Sequence, residues 1–149
     1  MRTQRGFTLI ELLLVMVVLV VLLAAGIPGF GSLIRAQRIK SASFELYSAL
    51  VLARSEAITR NTTVTVAPTG GNWGGGWTVT ESGGTVLRQD EGMTNIAISG
   101  PGNVVYRGSG RVDGAVFPQF ELSVSGESTQ KRCIRIDLSG RPYTKAQPC

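Results

Sequence analysis

The chain divides into an apolar front and a mixed remainder. Met1-Arg2-Thr3-Gln4-Arg5-Gly6 is short, polar and twice positive; Phe7-Thr8-Leu9-Ile10-Glu11 follows, and Leu12 to Ala25 then runs without one polar side chain. As a helix rising roughly 1.5 Å per residue, Phe7 to Ala25 would span about 28 Å, nearly the thickness of a bilayer core. Arg2 and Arg5 precede it, so the positive-inside rule would keep the N-terminus cytoplasmic and send the rest outward. Gly26, Pro28, Gly29 and Gly31 interrupt the run. Pro28 lacks an N–H and clashes with the carbonyl four residues back, which predicts a kink. A kink rather than a stop is expected because helical spacing resumes at Ile34, Ile39, Ala42, Leu46, Ala49, Ala53 and Ala57. Phe44, Leu50 and Ile58 would widen that stripe, with Arg35, Arg38, Lys40, Glu45 and Ser55 outward and Asn61 capping the end.

Such a stripe needs a sheet to pack against, and the remainder reads as strands. Thr62–Ala67, Trp77–Glu81, Thr85–Gln89, Thr94–Ser99, Asn103–Tyr106, Val116–Val124 and Lys131–Leu138 are the candidate segments. Glycine-rich turns separate them, and the short spacing favours antiparallel hairpins over crossover units. In Lys131 to Leu138 the alternation would bury Ile134, Ile136 and Leu138 and expose Lys131, Cys133, Arg135 and Asp137. Fold class is therefore α+β: one long helix, apolar then amphipathic, packed on an antiparallel β-sheet head.

Composition narrows the chemistry. Histidine is absent, which removes imidazole bases and His ligands, and two cysteines cannot form a four-thiolate site within one chain. No enzyme activity, metal or cofactor is expected. Gly70-Gly71-Asn72-Trp73-Gly74-Gly75-Gly76-Trp77 lacks the Gly-Lys-Ser/Thr ending of a P-loop and reads as a hairpin connection with two partly buried Trp. Asp90-Glu91 are neighbours before Gly92 and read as solvated turn residues, not carboxylates facing across a substrate. The formal charge is +5, and Lys131, Arg135, Arg141 and Lys145, with Tyr143 among them, concentrate basic character near the C-terminus. Scattered surface charge and a nucleic-acid surface both fit that count.

Glu11 is the anomaly in the apolar run, since an ionised carboxylate at the membrane centre costs on the order of 3 kcal/mol. A cleaved secretory signal or a plain anchor would leave it without a purpose. Gly6-Phe7-Thr8-Leu9-Ile10-Glu11 resembles the prepilin signature of type IV pilins and type II secretion pseudopilins. The resemblance implies the pilin fold, cleavage after Gly6 by a prepilin peptidase, N-methylation of Phe7, and retention of the apolar helix. It also implies that Glu11, the fifth mature residue, faces the N-terminal amine of a neighbouring subunit and sets assembly registry. Pro28 becomes the twenty-second mature residue, where pilins of this class also carry proline. The expected organisation is a leader at 1–6, a transmembrane helix at 7–35 kinked at Pro28, and a periplasmic head at 36–149. Placement is a single pass of the bacterial inner membrane, then the pilus or pseudopilus after assembly. In the oxidising periplasm Cys133 and Cys149 could pair and tie down the tail; two free thiols are the alternative.

Leu52-Ala53-Arg54-Ser55-Glu56-Ala57-Ile58-Thr59-Arg60-Asn61, with the strand after it and Ile136-Asp137-Leu138-Ser139-Gly140-Arg141, is similar to the GspH/FimT/FimU group. These are minor pilins of type IV pili and the minor pseudopilin H of type II secretion. The resemblance implies a non-catalytic subunit of a tip or priming complex, with other major and minor pilins or pseudopilins as partners. Members that bind DNA in natural transformation carry Gly-Arg-x-Arg near the C-terminus. Here Gly140 and Arg141 match, Tyr143 stands at the second Arg position, and Lys145 lies two residues beyond. The alternative reading is thus a receptor for double-stranded DNA, contacting it through Lys131, Arg135, Arg141, Tyr143 and Lys145.

Overall fold

The computed structural model describes residues 7–114, 117–126 and 130–149, without the side chains of residues 25–30. The chain forms two compact units, Met1–Arg35 and Ala36–Cys149. Helix α1 (Leu9–Arg60) belongs to both. In the first unit every large apolar side chain from Leu9 to Leu23 is exposed. Among the described residues no helix is long and apolar enough to cross a membrane. The described side chains of the run end at Ala24, about 24 Å of helix from Leu9. The leader and Gly6 lie outside the described residues; at Pro28, α1 continues rather than stops, and the side chains around the expected kink lie outside the described ones.

In the second unit α1 buries Ile39, Ala42, Leu46, Ala49, Leu50, Ala53 and Ala57. Four of these positions are alanine, which puts little side-chain bulk between the helix and the core. The helix stops at Arg60 because Asn61 turns left-handed, with φ 49°, and Thr62 N–H reaches back to the Ala57 carbonyl at 3.1 Å. Three apolar residues assigned to the stripe are not in it: Ile34, Phe44 and Ile58 are all exposed. Glu45 is half-buried rather than outward; burial, and then the charge of Asp90, push its carboxyl up.

Among the described residues eight strands follow: β1 (Val64–Pro68), β2 (Gly76–Glu81), β3 (Val86–Glu91), β4 (Ile96–Ser99), β5 (Val104–Tyr106), β6 (Gln119–Val124), β7 (Lys131–Ile136) and β8 (Pro142–Lys145). They make two antiparallel sheets, in the orders β3-β2-β1-β5 and β4-β6-β7-β8, rather than one. The split arises because β4 leaves its neighbour β3 to pair with β6, while β5 returns to β1. One core joins the helix stripe to Val64, Val66 and Val79 of the first sheet and Phe120, Leu122 and Ile134 of the second.

Several sequence expectations need correction here. Both Trp are fully buried: Trp73 donates to the Pro101 carbonyl at 2.6 Å and meets Phe120 edge-on at 4.8 Å, while Trp77 lies inside β2. Asp90 is a strand residue of β3, not a solvated turn, and its carboxylate takes both Nε and Nη2 of Arg88 at 2.9 and 2.6 Å. β7 ends at Ile136, so Leu138 is exposed rather than core. The tail expected after Gly140 contains β8, an outer strand that tolerates proline at its first position.

Candidate functional site

Two regions hold the residues singled out from the sequence. At the helix start, the Glu11 amide donates to Thr8 Oγ1 at 3.3 Å and the Thr8 amide donates to Glu11 Oε2 at 3.5 Å. This is a capping box, Thr8 as N-cap and Glu11 three residues on, which satisfies two otherwise orphaned amides. Phe7 lies just outside the helix and is 83% exposed. Gly6 lies outside the described residues. Thr8 was missed as a partner, although Thr-x-x-Glu before an apolar run is itself legible.

The second region is the outer face of the second sheet. Cys133 and Cys149 are joined by a disulfide. That bond draws the C-terminal segment back across the sheet, and the basic residues of β7 serve it. Arg135 Nη2 donates to the Cys149 main-chain oxygen at 2.5 Å. Lys131 pairs with Glu121 at 2.6 Å, and the same carboxylate accepts the Cys149 amide at 3.2 Å. The Lys131 hydrogen bond, followed by that amide, lowers the Glu121 carboxyl. Cys133 is therefore buried, and Lys131 and Arg135 are half-buried rather than a free basic face.

Arg141, Tyr143 and Lys145 remain on the surface, with Lys145 Nζ 5.7 Å from the centre of the Tyr143 ring. Arg135, Arg141 and Tyr143 border one cleft of about 780 Å³ with Phe117 and Leu138. Lys131 and Lys145 do not border it.

The turn that carries Arg141 is rigid for identifiable reasons. Asp137 Oδ1 accepts from the Ser139 hydroxyl at 2.6 Å, the Ser139 amide at 2.8 Å and the Arg141 amide at 2.9 Å. Led by the Ser139 hydroxyl, these bonds hold the Asp137 carboxyl down to about 2. Gly140 has φ 80°, and a Cβ there would lie 2.0 Å from the Gly110 carbonyl oxygen. Arg54 of α1 donates Nε to that same Gly110 oxygen at 3.1 Å and Nη2 to the Ser139 oxygen at 3.2 Å. One helix guanidinium thus ties two loops together. Tyr106 lies buried in this neighbourhood, and burial pushes its hydroxyl well above the ordinary value. The clamping role of Arg54 and the organising role of Asp137 were not read from the sequence; Asp137 followed by Ser139-Gly140 is the one local signal, a side-chain-braced turn.

A capped apolar helix whose second half becomes the spine of an antiparallel β head is the architecture of the pilin-like proteins. The prokaryotic N-terminal methylation motif matches residues 1–27, and the model for type II transport protein GspH matches residues 42–140. The chain belongs to the GspH family. No curated protein matches it by sequence. It is similar in fold to the type IV minor pilin FimU of Pseudomonas aeruginosa in two crystal forms. One has a TM-score of 0.63 at 23% identity, covering 71% of this chain and 91% of that one. The other has a TM-score of 0.64 at 21% identity, covering 75% and 90%. The minor pseudopilin EpsH from the type 2 secretion system of Vibrio cholerae also shares the fold, with a TM-score of 0.57 at 16% identity over 75% of this chain and 97% of that one.

Proposed function

We propose that this GspH-family chain is a non-catalytic minor subunit that enters the tip or priming complex of a type IV pilus or type II secretion pseudopilus. The observation that carries the reading is the exposure of every large apolar side chain from Leu9 to Leu23 on the helix that also forms the spine of the head. The described chain covers none of that surface, so a bilayer or a bundle of like helices must cover it. In this reading prepilin peptidase removes residues 1–6, Phe7 becomes the methylated N-terminus, and residues 7–35 anchor the subunit in the inner membrane. The head at 36–149 stays periplasmic until extraction. Glu11 leaves its capping box to neutralise a neighbour's Phe7 amine and so sets registry. The test is intact mass of the membrane-extracted protein: it should lack Met1–Gly6 and carry one methyl group on Phe7. An unprocessed Met1, or a mature chain beginning at Ile27, would refute the reading.

Double-stranded DNA is the second reading, favoured by the convergence of Arg135, Arg141 and Tyr143 on one cleft. Phosphate contacts release counterions, so binding should weaken with salt, and Arg141→Gln should lower the salt slope by about one unit. Anisotropy of labelled duplex with the disulfide-intact protein measures both; indifference to Arg141→Gln would remove this reading.

A further inference from the structure

Two hollows of about 430 and 680 Å³ share Tyr47 and lie along one flank of α1 in the second unit. Their opposite wall is β8: Thr144 borders the first hollow and Pro142 the second. β8 is an outer strand, and among the described residues none pairs with its far edge. The hydrogen-bond phase follows from the ladder. Asp137 N–H donates to the Arg141 carbonyl, and Arg135–Tyr143 and Cys133–Lys145 are in step with that pair. Alternation then turns the N–H and C=O of Thr144 away from β7, to the open edge of the strand, and Thr144 borders the first hollow. On the helix wall Phe44, Val51 and Ile58 stand seven residues apart and are 68%, 40% and 46% exposed. Around these apolar contacts Lys40, Arg54, Arg132 and Arg141 face only Glu45 and Asp137.

We propose that this groove receives an extended acidic segment of a neighbouring pilin-type subunit, which adds as a strand to β8. The proposal rests on the assembly reading above and deepens it. Each part of the chemistry selects a property of the occupant. The open edge of β8 takes main-chain hydrogen bonds, which an extended peptide offers and a helix does not. Phe44, Tyr47 and Val51 take apolar side chains from alternate positions of that strand. The excess of cations takes carboxylates on the others. A DNA duplex matches the charge alone: its backbone cannot pair with a strand edge and brings nothing apolar to Phe44 and Val51.

The probe is a labelled peptide of about eight residues alternating Glu with Val, titrated into the full chain in lipid nanodiscs, with empty nanodiscs as blank. Binding should be saturable and should weaken about tenfold or more with Val51→Asp or Thr144→Pro. Thr144→Pro removes the outward N–H and leaves the β7 ladder intact; unchanged thermal unfolding confirms that it folds, and Val51→Asp serves alone if it does not. Val86→Asp, at an exposed apolar site on β3, should have no effect. Replacing Glu by Lys in the peptide, or Val by Pro, should abolish binding. Absence of saturable binding up to about 1 mM would overturn the proposal. So would equal binding of the proline peptide. Displacement by a short duplex with the same sensitivity to Val51→Asp would assign the groove to nucleic acid instead. Because the titration needs no filament, its failure is separate from failure of the processing test.

Discussion

Gly140→Ala is the sharpest perturbation of the turn that presents Arg141, because two separable costs meet at one atom. The backbone at Gly140 has φ 80°, where an L side chain costs roughly 1 to 2 kcal/mol. The added Cβ would also lie 2.0 Å from the Gly110 carbonyl oxygen, which is backbone and cannot rotate away. The two loops must part, and Arg54 then loses its bonds to the Gly110 and Ser139 oxygens, about 1 kcal/mol each. Together these give about 3 kcal/mol, or roughly 10 °C in thermal unfolding of the disulfide-intact full chain in detergent. Two other glycines separate the contributions. Gly84 has φ 86° with no heavy atom near its Cβ position, so Gly84→Ala should show the backbone cost alone. Gly83 has neither feature, and Gly83→Ala should stay within about 0.5 kcal/mol of the parent. A Gly140→Ala protein no less stable than Gly84→Ala would show that the loops yield freely and that the Arg54 clamp contributes nothing.

At the helix start, Glu11→Gln keeps the capping geometry and loses the charge, whereas Glu11→Ala loses both. If registry depends on charge, both variants should be processed normally and both should fail to enter filaments; rescue by Gln would make the cap the functional element. The Asp137 carboxyl, held down to about 2, contributes stability that is whole above its unfolded value of roughly 3.9 and is lost as pH falls from there through about 2. Protection of the Ser139 and Arg141 amides, relative to their intrinsic exchange rates at each pH, should therefore fall over that window and stay flat above it; an equal fall in Asp137→Asn would refute the assignment. Cys133→Ser should destabilise the head by about 3 kcal/mol and make the Arg135 side chain more accessible to modification, since its partner Cys149 lies on the released segment, whereas Lys131 keeps Glu121 of β6. Unchanged accessibility would mean that the segment docks without the disulfide.

What the sequence makes legible is whatever the chain satisfies by itself and locally. Short runs bearing β-branched residues and punctuated by glycine locate β1 to β7, and the i, i+3, i+4 spacing locates the buried stripe of α1, because each pattern reports a face covered by an adjacent element. Pairing of β1 with β5 and β4 with β6 is not local, so hairpin spacing suggests one sheet where two form. β8 is hidden because its strand character comes from docking on β7, not from its Pro and Lys. The basic face is misread for a related reason: Lys131 pairs with Glu121 on the neighbouring strand, and Arg135 binds the Cys149 oxygen that the disulfide brings back from the end of the chain. The misassigned apolar residues point the other way. Phe44 and Ile58 share a seven-residue spacing with Val51, so periodicity counts them with Leu46 and Ala53, yet the fold leaves Phe44 exposed and Ile58 only partly covered. Hydrophobic periodicity reports that a face is meant to be covered and does not say by which chain. Among the described residues the front half of α1 and the Phe44–Val51–Ile58 flank carry that pattern and remain exposed. They are the surfaces through which a subunit of a larger assembly would be expected to meet its neighbours.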